Sequence, residues 1–316
     1  MRNLAPILLF VYKRPIHTQK TLEYLANNAL AKESILYIYA DGPKEGTDLD
    51  GLKKIEETRK VIRAEQWCNE IHIIESNTNK GLANSIIEGV TEIINRHGKV
   101  IVLEDDIITS TGFLKYMNEA LNLYEEQEKV MHISGFVPVT TGADKLPETY
   151  FLRFMSCWGW ATWKRAWSEI ILDIPYLYNN IPLQDDFYRF NMDGTIDMFS
   201  QIEENYKGSL NTWAIKWYST IFLKKGFCLY PQYSMIDNIG LDGSGEHCHS
   251  SDDLYKVDLA ATTRLSSIKI KEDQYAYKYL KRFYKYGRDS SLKHRIKIFI
   301  KSNYFYKVYA KYRYNL

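Results

Sequence analysis

The segment Val100-Ile101-Val102-Leu103-Glu104-Asp105-Asp106 runs from four apolar residues straight into three carboxylates. Like charges packed this closely repel and raise one another's pKa unless a cation sits among them. A hard divalent ion, Mn²⁺ or Mg²⁺, prefers such oxygen ligands and would in turn hold phosphates. The bland alternative is a helix N-terminus decorated with acids, which the macrodipole favours. A second carboxylate pair stands in Gln184-Asp185-Asp186-Phe187-Tyr188-Arg189, fit either to take a proton from a substrate or to line a surface loop. Asn79-Lys80-Gly81-Leu82-Ala83-Asn84-Ser85 reads as a loop opening a helix, where backbone N–H groups and Lys80 suit a phosphate. The glycine-rich stretch Asn238-Ile239-Gly240-Leu241-Asp242-Gly243-Ser244-Gly245-Glu246-His247 ends in a histidine able to ligate a metal. His247, Cys248 and His249 supply too few soft donors for a zinc site.

Elements that would position these groups are legible in the first half of the chain. Short apolar runs, Ile7 to Tyr12, Ile35 to Ala40, Ile71 to Glu75, Val100 to Leu103 and Val130 to Ser134, alternate with helical patterns, as crossover units on a mostly parallel sheet do. Leu22, Leu25, Ala26 and Ala29 make one apolar stripe on a helix that Pro15 can open. Ile86, Val90, Ile93 and Ile94 make another, with Gly98 placed to stop it. Phe113, Met117, Leu121 and Tyr124 mark a third. In such sheets ligands bind at the carboxyl ends of the strands, where Glu104 to Asp106 fall. The second half is less regular, with aromatic clusters from Trp158 to Trp167 and Trp213 to Phe227, and with loop-forming stretches near Asp173 to Asp193 and Asp237 to Asp253.

At 316 residues, 45% hydrophobic and 25% charged, the chain can bury one large core with a small appendage. A net charge of +2 gives no reason to expect a nucleic-acid partner. Cys68, Cys157, Cys228 and Cys248 are far apart with no CxxC spacing, which fits a reducing cytoplasm better than a disulfide framework. The apolar run at Ile7 is too short for a signal peptide and lacks a cleavage pattern. No stretch approaches the roughly 18 apolar residues that span a bilayer. From Lys278 onward twelve lysines and arginines face one acid, Asp289, with tyrosines and phenylalanines interleaved. Such a tail suits the surface of an anionic membrane without crossing it, or packs as a helix with a solvated basic face.

Leu103-Glu104-Asp105-Asp106-Ile107 resembles the acidic metal motif of GT-A-fold glycosyltransferases, and specifically that of the N-acetylglucosaminyltransferase I family and its bacterial relatives. Phe10-Val11-Tyr12-Lys13-Arg14-Pro15 is similar to that family's first-strand end, and Ile38-Tyr39-Ala40-Asp41-Gly42 to its second. Cys157-Trp158-Gly159-Trp160-Ala161-Thr162-Trp163 resembles its Gly-Trp wall of the active site. The resemblance covers about residues 5 to 250. It implies that Asp106 and His247 ligate the metal, that Arg14 contacts the nucleotide and that Asp41 recognises uracil. Glu104, Asp105, Lys80, Trp158 and Trp160 join the donor site. The family's base lies in a Trp-Asp-Asp-Trp segment, whereas this chain has Trp213-Ala214-Ile215-Lys216-Trp217, so Asp186 or Asp185 is expected to serve instead.

The expected architecture is therefore an α/β, GT-A-like domain over residues 1–265 and a basic, aromatic, helical tail over 266–316. The expected activity is an inverting, metal-dependent transfer from UDP-N-acetylglucosamine or a UDP-hexose to a glycan or lipid-linked glycan in cell-surface polysaccharide synthesis. The expected location is cytoplasmic, on the inner face of the membrane. Two other classes stay open: a sugar nucleotidyltransferase, whose glycine-rich loop after the first strand is missing here, and a non-catalytic nucleotide- or glycan-binding protein.

Overall fold

A computed structural model describes residues 4–243 and 253–289. Strand β1 (Ile7–Val11) is buried along its whole length, and α1 (Pro15–Ala26) follows with Pro15 in its first turn, where a missing N–H costs nothing. Next come β2 (Ile35–Ala40) and α2 (Leu49–Val61), the latter capped by Asp48, whose side chain accepts the Gly51 N–H at 2.8 Å. Strand β3 (Glu70–Glu75), α3 (Leu82–His97) and β4 (Lys99–Glu104) complete the next unit. Helix α3 stops at Gly98, whose φ of 79° is a left-handed conformation that costs a glycine little. Then follow β5 (Ile107–Thr109), α4 (Phe113–Leu123), β6 (Val130–Ser134), β7 (Thr149–Leu152) and β8 (Trp160–Trp163). The remainder holds α5 (Lys164–Trp167), α6 (Ile174–Asn180), α7 (Phe187–Phe190), α8 (Phe199–Tyr206), α9 (Trp213–Leu223), β9 (Phe227–Pro231), β10 (Ile236–Asn238) and α10 (Gln274–Tyr286).

Eight strands make one sheet in the order β3-β2-β1-β4-β8-β6-β9-β7. Pairing is parallel from β3 through β4. Strand β8 inserts antiparallel between β4 and β6, β9 runs parallel to β6, and β7 closes the edge antiparallel to β9. The α/β class with a mostly parallel sheet is thus present, and all five strands expected from the sequence exist. Where loops were expected near Asp173 to Asp193 the chain instead forms α6 and α7.

The strand alternation splits the core in two. Leu8, Phe10, Val100 and Val102 point to one face, against α3 and α9, while Ile7, Leu9, Ile101 and Leu103 point to the other, against α1 and α4. Both faces being covered is what a parallel arrangement requires. The described part of the C-terminal tail belongs to this body: Ala276, Tyr277, Tyr279, Leu280 and Phe283 of α10 are buried, and Lys281 pairs with Asp193 at 2.8 Å. Residues 290–316, on which the membrane expectation mainly rests, lie outside the described residues. No helix among the described residues is long and apolar enough to cross a membrane.

Candidate active site

Strands β2, β1 and β4 are neighbours and parallel, so Asp41, Arg14 and Glu104 to Asp106 all emerge at one edge of the sheet. Because β8 runs the other way, the residues before it, including Trp158, arrive at that same edge. A cavity of about 360 Å³ opens there, of the size typical of small-molecule sites. Tyr39, Asp41, Asn79, Leu82 and Ser85 line one end, from β2 and the start of α3. Glu104, Asp105, Asp106, Trp158, Asn238, Gly240 and Leu241 line the other. Trp158 is held edge-on by Phe136 and Tyr255, at ring distances of 4.6 and 5.4 Å.

Arg14 stands at the acidic end. Its Nη1 donates to Asp106 Oδ2 at 2.7 Å and lies 3.5 Å from Asp105. Burial works against the Arg14 charge, but the two carboxylates outweigh it and hold its pKa above the ordinary value. They remain under-compensated. Burial, then Asp106, push the Asp105 carboxyl up to about 7, with Arg14 opposing. Burial, Asp106 and Asp105 raise Glu104 well above the carboxylate range. Three acids against one guanidinium is a cluster that gains from an added cation. Among the described residues no three His, Cys, Asp or Glu side chains are grouped as a ready metal cage. That arrangement is compatible with a magnesium-type ion, which takes one or two carboxylates and fills its shell with water and substrate phosphate oxygens.

Asp41 is placed at the cavity but is already saturated. Its Oδ1 accepts the N–H groups of Gly42 and Lys80, both at 2.9 Å, and its Oδ2 accepts Asn79 Nδ2 and the Gly81 N–H, both at 3.0 Å. Four donors fill the acceptor capacity of a carboxylate. The start of α3 thus has its anion from within the chain, and the N–H groups of Lys80 and Gly81 expected to meet a phosphate meet Asp41 instead. The Lys80 ammonium turns away to Glu88 at 2.7 Å and does not line the cavity.

Two other expectations are corrected. Trp160 is 1% exposed and stacks on Trp213 at 4.9 Å, so it is core rather than wall. Asp185 is exposed, and Asp186 pairs with Arg153, just past the end of β7. Leu152 of β7 pairs with Cys228 near the start of β9, which puts Arg153 at the edge of the sheet opposite to Glu104. Four strand spacings, about 19 Å, also separate β7 from β4. Neither aspartate lines the cavity, so neither is positioned to take an acceptor's proton. His247 lies outside the described residues. Asn238 and Gly240 reach the cavity because β10 pairs with β5 directly after the acids, a contact that nothing in the sequence announces.

No protein-family model matches the chain, and no curated protein matches it. Several solved structures are similar in part. A crystal structure of S. aureus TarS 1-349 is 14% identical with a TM-score of 0.30, over 43% of this chain and 37% of that one, so the chain spans little more than a third of its length. Mouse xyloside xylosyltransferase 1 is 11% identical with a TM-score of 0.37, over 70% of this chain and 82% of that one. A UDP-glucose pyrophosphorylase complexed with UDP-glucose is 11% identical with a TM-score of 0.35, over 73% and 91%.

Proposed function

We propose that the chain is a glycosyltransferase that takes a sugar from a uridine diphosphate donor and passes it to a glycan hydroxyl. The observation that carries this reading is the pairing of Arg14 with Asp106 and Asp105 inside a cavity whose other end is walled by Tyr39, Asn79, Leu82 and Ser85. We assign the nucleoside to the second end, which leaves its diphosphate at the first.

That assignment makes an electrostatic demand. A diphosphate brought beside these carboxylates either meets their negative charge or holds them protonated, so binding calls for a divalent cation to bridge the two. Mn²⁺ or Mg²⁺ held by Asp106 would supply it and would stabilise the departing nucleotide diphosphate. Arg14 orients the Asp106 carboxylate by a charge-assisted hydrogen bond. Trp158 forms part of the cavity wall beside the acids, and Gly240 lies directly against Asp106. A lipid-linked glycan as acceptor, met at the inner face of a membrane, is supported by the cation-rich, aromatic composition of residues 290–316.

Measuring hydrolysis of a panel of nucleotide sugars, with and without Mn²⁺, tests the reading. Slow metal-dependent release of the sugar from a uridine donor is the expected result. Pyrophosphate-dependent formation of UTP would instead assign a nucleotidyltransferase, and binding without turnover a non-catalytic protein.

A further inference from the structure

The saturation of Asp41 has a consequence for how a base is chosen. If the proposed uridine donor binds with its base at the Tyr39 end, an acceptor must receive the imide N–H of uracil. Asp41 has none to offer, since all four of its acceptor positions are filled by Gly42, Lys80, Asn79 and Gly81.

Asn79 lines the same end of the cavity. Its amide nitrogen gives one proton to Asp41 Oδ2 and the other to the Gly42 carbonyl, both at 3.0 Å. Both partners are obligate acceptors, so the amide orientation is fixed by chemistry and not by an arbitrary choice of O and N. What remains is Asn79 Oδ1, an acceptor with no protein partner among the described residues. Its backbone is held as well: the Asn79 N–H donates to the Pro43 carbonyl at 3.1 Å. Gly42 underlies this loop so closely that a Cβ there would lie 2.6 Å from the Thr78 nitrogen. The loop that carries Asn79 is therefore tied at three points before any ligand arrives, as a specificity element should be.

We infer that Asn79, not Asp41, reads the base: its Oδ1 accepts the imide N–H of uracil, and Asp41 is the positioning residue that aims it. This inference rests on the uridine-donor reading above.

The test uses the full chain with Mn²⁺ present throughout and two probes, UDP and UDP methylated at N3 of uracil, which removes the hydrogen-bond donor. A site built around that hydrogen bond rejects an analogue lacking it. Calorimetry on the unaltered chain should find the methylated probe bound at least tenfold more weakly. Asn79→Leu should weaken UDP and bind both probes alike. Should Asn79→Leu fail to fold by thermal melting, Asn79→Ala serves in its place. Discrimination that survives in Asn79→Leu or Asn79→Ala overturns the inference while leaving the donor reading intact. A chain that binds UDP and its methylated form equally well from the outset also overturns it, and a chain that binds neither removes the uridine reading together with the inference.

Discussion

Gly240 sits directly on Asp106. A Cβ at this position would overlap the Asp106 carboxylate, 2.8 Å from its Cγ, and would lie 2.5 Å from Arg14 Nη2. The same segment is pinned from below, because the Ile239 N–H donates to the Asp106 carbonyl at 2.9 Å. Backbone can approach a carboxylate this closely only where no side chain intervenes. Gly240→Ala should therefore displace the Arg14–Asp106 pair and lower affinity for UDP in the presence of Mn²⁺ at least tenfold. Calorimetry with an unchanged dissociation constant would show that the pair is not needed.

Asp106→Asn keeps the shape of the residue and removes its charge. The expected outcome is a folded chain whose donor binding no longer responds to Mn²⁺, with turnover down by two orders of magnitude or more. Titrating manganese against donor hydrolysis checks it, and an unaltered manganese dependence would take Asp106 out of the site.

Asp186→Asn should behave as a structural change. The Asp186 pair with Arg153 ties α7 to β7, so its loss should cost about 1 kcal/mol of stability. Donor hydrolysis should stay within about twofold of the original. A hundredfold loss of turnover at unchanged melting temperature would restore Asp186 as a catalytic group.

The two tryptophans of the Gly-Trp segment should separate in the same way. Trp160→Ala empties a stacked core position and should cost about 3 to 5 kcal/mol wherever the chain still folds. Trp158→Ala removes a cavity wall that is only half-buried, so it should weaken donor or acceptor binding with a smaller stability loss. Urea unfolding and UDP affinity, measured on both, give the comparison; equal stability losses would deny the division.

These outcomes trace what the sequence could reveal. The acidic end was legible because a buried strand that runs into three carboxylates is a local pattern, and β4 does end at Glu104. Asp41 was legible as a strand-end residue but not as a saturated clamp, since its partners come from the loop before α3, some forty residues away. Asp185 and Asp186 misled because distance along the chain carries no information about which edge of the sheet a segment reaches. That depends on β7 and β8 running against their neighbours, and Trp160 to Trp163 reads as an aromatic cluster, not as a strand. Helix α2 gave little signal because only Gly51, Ile55 and Thr58 are buried along it.

The core offers a last test, of acid stability. Trp217 Nε1, which can only donate, gives its proton to His132 Nδ1 at 3.2 Å, so the His132 proton sits on Nε2 and is donated to the Ser156 carbonyl at 3.0 Å. The ring is neutral, fully buried and stacked on Trp160 at 5.4 Å. Burial drives its pKa down to about 3, with the Ser156 contact opposing. An unfolded histidine titrates near 6.5. From pH 6.5 down to about 3 the unfolded chain therefore binds a proton that the folded chain refuses. Stability from this group is complete above pH 6.5 and declines by about 1.4 kcal/mol for each unit of pH lost below it. His132→Gln cannot take up that proton, so its stability should fall less steeply with acid even though it starts lower at pH 7. Urea unfolding at pH 6.5, 6.0, 5.5 and 5.0 isolates the difference, because carboxylate contributions are shared by both proteins and cancel. Parallel curves over that window would mean that His132 is charged in the folded chain, and with it the hydrogen-bond assignment between Trp217 and Ser156 would fall.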